Sequence, residues 1–298
     1  MPKDWESTFT HWAKGPAATE SERCENAIRA LKNAIAQSDA LKNRNTEIIL
    51  QGSYRNRVNV RQDSDVDLGI ICRDTFYYHL PQGITKEGAS ITPAIYQFAE
   101  YKNDVENALV NYFGRSEVTR GNKAFDIKAN SYRVEADLAP FFEYRHYWDG
   151  SRYAEGVKLL SDSGKEVINY PEQHYSNGVA KNDNTSRRYK RCVRILKNLK
   201  NLKNKMEEDG YNSAKEIPGF LIECLVFNVP DENFSSSTYV PLVRSALAYI
   251  YNNTRPSDDC SKWTEVNNIK YLFHSSQPWT KAETHQFISN AWDYIGYE

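Results

Sequence analysis

Residues 51–70 read QGSYRNRVNVRQDSDVDLGI: a glycine-serine pair, a polar loop, then Asp65 and Asp67 separated by one valine and followed by an apolar run. In a β-strand successive side chains point to opposite faces, so Asp65 and Asp67 project together while Val66, Leu68 and Ile70 project to the other side. Two ionised carboxylates this close repel each other and are costly to desolvate unless cations or hydrogen-bond donors compensate them. Mg²⁺ suits the pair, because it takes oxygen ligands and usually binds through one or two carboxylates plus substrate phosphates. Gly52 and Ser53 supply the other half of a phosphate site, since glycine lets the backbone approach a ligand and serine adds a hydroxyl donor. Gln51 stands at the same turn and is grouped with it as nucleotide-binding, and Ile48, Ile49 and Leu50 anchor it. Asp63 alternates with the pair but stands nearer the loop, and reads as a turn residue. This order of residues points to nucleotidyl transfer.

A two-metal phosphoryl-transfer site requires a further carboxylate. The segment SYRVEADLAPF reads as a strand in which Tyr132, Val134, Ala136 and Leu138 face one way and Arg133, Glu135 and Asp137 the other. Glu135 and Asp137 are both placed to serve, and the strand is expected to end at Ala139-Pro140. Farther on, TSRRYKRCVRILKNLKNLKNK has no acidic residue before Glu207. Tyr189, Cys192, Val193, Leu196 and Leu199 recur at helical intervals as an apolar stripe, with Lys190, Arg194 and Lys197 beside them as a basic one. A row of cations on one helix can neutralise a triphosphate and the departing pyrophosphate; a solvated basic face is the plainer reading. Thr185 is the expected N-cap, with Asn182 to Asn184 forming the loop before it.

The string GSYRNRVNVRQDSDVDL with a later third aspartate resembles the polymerase-β-like nucleotidyltransferases. More fully it resembles the bacterial CD-NTases, relatives of animal cyclic GMP-AMP synthase and oligoadenylate synthase that make cyclic oligonucleotide signals in antiphage defence. The resemblance implies that Asp137 is the third metal-holding aspartate, with Glu135 as the fallback. VRILKNL resembles the helix that carries the family's triphosphate-binding lysine, which implies that role for Lys197, with Arg194 as a second nucleotide-binding candidate. IPGFLIECLVFNVP resembles a short buried family helix, and its Glu223 reads as structural.

The implied fold is α+β: a nucleotidyltransferase core of mixed sheet flanked by helices, over residues 1–170, packed against a C-terminal helical lobe over 171–298. The implied catalytic and metal residues are Asp65, Asp67 and Asp137, holding two Mg²⁺ ions for which Mn²⁺ can substitute. The implied reaction joins NTPs into a cyclic di- or trinucleotide with release of pyrophosphate. The implied partners are the NTP substrates and a downstream effector that binds the product.

Helical spacing of Cys24, Ala27, Ile28, Leu31 and Ile35 predicts a long helix from about Thr19 to Leu41. A second long helix is expected over Ile91–Phe113, three strands between Glu117 and Phe142, a mostly helical chain from Glu172, and a last helix over Ala282–Tyr294. The aromatic run FFEYRHYWDGSRY reads as strand core, with base stacking as the alternative.

Thirty-eight Lys and Arg against 39 Asp and Glu leave a net charge of -1, which disfavours nonspecific nucleic acid as an obligatory partner. The 5 cysteines are scattered without a CxxC pair, so neither a zinc site nor a disulfide framework is expected. No membrane-length apolar segment or signal-peptide core is present, and a cytoplasmic location is expected. Three other functions fit the same residues: transfer to an RNA end, a protein or a linear oligonucleotide; a catalytically silent nucleotide sensor; and a nucleic-acid-binding module built on the basic helix.

Overall fold

The structure, a computed structural model, describes residues 4–15, 18–60, 66–211 and 217–297. Asp63 and Asp65 lie outside the described residues. Contacts group the chain into two compact units, one of Ala17–Tyr54 with Asp63–Pro171, the other of Met1–Pro16 and Arg55–Gln62 with Glu172–Glu298. The sequence expectation had placed all of 1–170 in the first; by contacts, the N-terminal segment and 55–62 group with the helical unit.

The first unit is built on a mixed sheet in the order β1-β2-β5-β4-β3, with β6 paired to β5 and β7 to β6. Its strands are β1 (Thr46–Leu50), β2 (Val66–His79), β3 (Val118–Arg120), β4 (Phe125–Ile127), β5 (Ala136–Tyr147), β6 (Tyr153–Leu160) and β7 (Glu166–Asn169). Helices α2 (Ala18–Ala36) and α4 (Phe98–Phe113) pack with it; α1 (Trp5–Trp12) belongs to the other unit and α3 (Gly52–Arg55) follows β1. Val66, Leu68 and Ile70 are buried, as their alternation predicted, and join Ala136, Leu138 and Phe125 in one core. The buried Tyr101 hydroxyl of α4 donates to the Ile70 carbonyl at 2.8 Å, so the helix is tied to the strand that carries Asp67.

Several boundaries differ from expectation, among them the end of α2 at Ala36 in place of Leu41. β5 starts at Ala136, later than Tyr132, and continues through Pro140 to Tyr147. Proline is tolerated because β4 pairs with 136–138 and β6 with 142–147, leaving 139–141 paired only with β2. The missing N–H of Pro140 points into that gap, where no ladder bond is lost. The aromatic run is therefore mostly strand, with Phe141, Phe142, Tyr144 and Tyr147 buried and Trp148 exposed beyond its end. α4 starts at Phe98, later than the expected Ile91; a proline at 93 disfavours the helical region for the residue before it, Thr92.

The second unit is helical: α1, α5 (Pro171–Asn184), α6 (Arg188–Asn201), α7 (Lys203–Glu208), α8 (Gly219–Phe227), α9 (Tyr239–Thr254) and α10 (Lys281–Ile295), as expected for the C-terminal part. The basic segment is divided at Leu202 into α6 and α7. Asn182 to Asn184 are the end of α5 and not a loop. Arg187, at φ 64°, holds the N-cap position of α6. Thr185 still accepts from the Tyr189 N–H at 3.1 Å, and the Asn182 side chain accepts from the Lys190 N–H at 3.3 Å. Glu6 caps α9, its two carboxylate oxygens accepting from Tyr239 N–H and Val240 N–H at 2.8 Å each. Among the described residues no helix is long and apolar enough to cross a membrane.

An ion pair with its lysine buried closes the first unit. Lys102 on α4, 2% exposed, donates to Asp162 Oδ1 at 2.9 Å and to the carbonyls of Gly121 and Asn122. Arg120 grips the same carboxylate through Nε and Nη2, both at 3.0 Å. The Arg120 and Lys102 charges hold the Asp162 carboxyl down at about 2. A group with a depressed folded pKa stabilises above its unfolded value near 3.9 and loses that contribution as pH falls toward the folded one. Asp162→Asn should therefore lower stability at pH 7 by about 1–2 kcal/mol, below the cost of breaking a fully buried pair because Asp162 is 41% exposed. In urea titrations the difference from wild type should shrink as pH falls from 5 toward 2, and a pH-independent difference would refute the ion-pair account.

Candidate active site

Asp67 lies on β2 and Asp137 on β5, and the parallel ladder sets them in direct register. Side chains in register on neighbouring strands share a face about 4.8 Å apart at the backbone. Glu135, the fallback, lies just before β5 and is exposed. Asp126 on β4 is in turn in register with Asp137, so Asp67, Asp137 and Asp126 form a lateral row, each half-buried. Asp126 was missed in the sequence; the only signal was its place between the buried Phe125 and Ile127.

Gly52 follows β1 with φ at +60°. A Cβ there would stand 2.0 Å from Asp67 Oδ2 and 2.8 Å from its Cγ. The space the missing side chain leaves is thus filled by the Asp67 carboxylate, which the reading of Gly52 as a ligand-approach residue did not foresee. The Gln51 N–H donates to the Asp67 carbonyl at 2.9 Å and fixes the turn to β2. The Gln51 side-chain amide nitrogen is buried without a hydrogen-bond partner among the described residues, and lies 3.0 Å from where a Cβ on Gly69 would stand. Ser53 is half-buried in α3.

Half-buried, all-oxygen donors set side by side, with a glycine cradle behind one of them, fit Mg²⁺ or Mn²⁺ in ligand type. Among the described residues no three Asp, Glu, His or Cys side chains come together as a metal-holding group. Asp67 and Asp137 could hold such an ion together with substrate phosphates. A separate cavity of about 720 Å³, lined by residues such as Phe76, Tyr78, Tyr96 and Phe142, contains none of these residues.

In the helical unit the basic stripe of α6 is not a solvated face. Lys190 and Lys197 are 8% and 5% exposed, and the apolar stripe beside them is fully buried. Lys197 runs across the start of α8, its Cε 3.3 Å and Nζ 3.6 Å from where a Cβ on Gly219 would stand. Arg194 donates from Nε to the Ala13 carbonyl at 2.7 Å and from Nη1 to the Arg57 carbonyl at 2.6 Å, a structural task. Burial, with Arg191 nearby, lowers its pKa to about 10. Glu223 is buried and paired, as its structural reading held: His174, remote in sequence, donates from Nε2 to Oε1 at 3.0 Å. Burial alone would raise the Glu223 carboxyl, but His174, Lys197 and Lys190 outweigh it and hold it low. Burial pushes the neighbouring Cys224 thiol far up, which disfavours a thiolate nucleophile.

A model of the cGAS/DncV-like nucleotidyltransferase C-terminal helical domain matches residues 176–296. The chain is 40% identical to the cyclic dipyrimidine nucleotide synthase CdnE of Cecembia lonarensis, covering 100% of both sequences. It is 45% identical to the CdnE of the same description from Legionella pneumophila, covering 99% of both. The structure of Elizabethkingia meningoseptica CdnE with GTP and Apcpp is similar at TM-score 0.80 and 37% identity, over 98% of this chain and 99% of that one. Rhodothermus marinus CdnE with Apcpp and Upnpp is similar at TM-score 0.84 and 29% identity, over 98% and 97%. Fold and relatives together define a nucleotidyltransferase that makes cyclic dinucleotides. The chain belongs to the CD-NTase family, the cGAS/DncV-like nucleotidyltransferases, and within it to the CdnE clade.

The cradle makes Gly52→Ala a sharp probe. Alanine at a left-handed φ costs about 1–2 kcal/mol, a loss the fold can absorb. Its Cβ must also push the Asp67 carboxylate aside, and a displacement of about 1 Å can lower a rate by about a hundredfold. Nucleotide synthesis should fall at least that far while the protein melts cooperatively, as read by product formation beside a thermal melt.

Proposed function

We propose that this enzyme joins two pyrimidine nucleotides, taken from UTP or CTP, into a cyclic dinucleotide. The observation that carries the reaction is the parallel register of Asp67 and Asp137 behind the Gly52 cradle. The base preference is supported by full-length identity of 40% and 45% to two cyclic dipyrimidine synthases. A purine product is the second reading, favoured by 39% identity over 98% of this chain to a cyclic dipurine nucleotide synthase of Elizabethkingia meningoseptica.

In this proposal Asp65, Asp67 and Asp137 would hold two Mg²⁺ ions, which would lower the pKa of the attacking ribose hydroxyl and neutralise charge on the transferring phosphoryl group. Gln51, Gly52 and Ser53 form the turn that positions the donor triphosphate, and Asp67 is kept in place by its packing against Gly52. Lys197 is the triphosphate-binding lysine; Arg194, committed to two backbone carbonyls, has no part in the step. The acceptor hydroxyl attacks the donor α-phosphorus in line, the bond to the bridging oxygen breaks, and pyrophosphate leaves. A second attack of the same kind, within the linear intermediate, closes the ring. The product is proposed to act as a second messenger in antiphage defence, read by an effector that binds the cyclic dinucleotide.

Incubation with the four labelled NTPs and Mg²⁺ or Mn²⁺, followed by phosphatase and mass spectrometry, tests this. A phosphatase-resistant cyclic dipyrimidine is expected, reduced at least about a hundredfold in Asp67→Asn, since loss of one charge-stabilising group at such a centre costs 10²–10³ in rate. A cyclic product containing only purines would overturn the base assignment. Undiminished synthesis by Asp67→Asn would overturn the site.

A further inference from the structure

The helical unit contains an ionic group that the proposed reaction does not use. Glu223 on α8 is 3% exposed, yet it stays ionised against the His174 ring of α5 and the two buried lysines of α6. An ionised carboxylate only accepts, so His174 Nε2 is the donor in their 3.0 Å contact. Lys190 and Lys197 are seven residues apart, two turns along one helix, and therefore share a face. Gly219 and Glu223 are four apart on α8 and likewise share a face.

Lys197 is packed against Gly219, the first residue of α8. A helix N-terminus carries partial positive charge, so an ammonium held there is disfavoured. Burial disfavours the charged form further, and it already lowers the pKa of Lys190, with Arg57 and Arg194 adding to the effect while Glu223 and Asp183 oppose it. A carboxylate one turn into the same helix offsets both effects. The absent side chain at Gly219 leaves the path along which the Lys197 stem reaches its place.

We propose that Glu223, held by His174, is a positioning residue: a buried counter-charge that orients Lys197 for the substrate triphosphate. This rests on the reading of Lys197 as the triphosphate-binding lysine. Glu223 itself touches no substrate. Its effect is on binding, so its loss should appear in KM and leave kcat nearly unchanged, the pattern of an interaction made equally in ground and transition states.

The test uses the full-length protein as wild type, Lys197→Met, Glu223→Gln and the double variant. Affinity for inorganic tripolyphosphate in MgCl₂ is measured by titration calorimetry, and KM and kcat for synthesis with the four NTPs equimolar. Lys197→Met should weaken tripolyphosphate binding and raise KM by about tenfold or more, the worth of one hydrogen bond to a charged group. Glu223→Gln should raise KM about fivefold to tenfold with kcat within about twofold, and add nothing in the Lys197→Met background. If Glu223→Gln fails to fold, the proposal requires that Lys197→Met restores folding by removing the ammonium that Glu223 no longer balances; an unfolded double variant overturns it. A wild-type KM in Lys197→Met overturns the triphosphate reading. A raised KM in Lys197→Met beside an unchanged KM in Glu223→Gln, or additive effects in the double variant, overturns only the positioning role.

Discussion

Carboxylates on adjacent strands repel, and the parallel pairing of β2 with β5 forces Asp67 and Asp137 to stand beside each other. Nothing in the ladder permits relief by a small shift. Slipping one strand by one residue would turn its buried face to the wrong side, so the core of Val66, Leu68, Ala136 and Leu138 holds the two charges together. Folding energy thus maintains a concentration of negative charge that only a cation or a hydrogen-bond donor can relieve. The same logic explains Gly52: its missing Cβ is occupied by the Asp67 carboxylate, which would otherwise have to swing away.

A second charge concentration, of opposite sign, lies in the helical unit. Lys190 and Lys197 are buried, and the carboxylate that faces them is Glu223, which His174 holds. Taking charges out of water is expensive, so a buried network of this kind is weak evidence for stability and stronger evidence for positioning. Elsewhere the molecule pairs buried charge for structural ends: Lys102 with Asp162 ties α4 to the sheet, and Glu143 is held between Arg73 and Arg145.

Much of this was readable in the chain. The alternation VDLGI around Asp67 gave the strand and its buried face, and three- and four-residue spacing gave α2 and α6. What escaped depended on partners distant in sequence. Pro140 read as a strand end because the gap between β4 and β6 that accommodates it is a property of the sheet. Asp126 carries no motif, and becomes notable only when β4 lies against β5. Glu223 had no histidine near it in sequence; His174 reaches it through the packing of α5 on α8. Gly52 was seen as needed, for a ligand, while the structure gives it to Asp67. The expectation for Asp65 falls outside the described residues.

The central claim is that the β2–β5 register builds a divalent-cation site on this enzyme. Mn²⁺ binding, followed by the loss of the free-ion electron paramagnetic resonance signal in the presence of a non-hydrolysable NTP, tests it directly in wild type, Asp67→Asn and Asp137→Asn. The account predicts tight uptake by wild type and weakening of about tenfold or more in each variant, as loss of one anionic ligand requires. Wild-type uptake by a folded Asp137→Asn variant would contradict it.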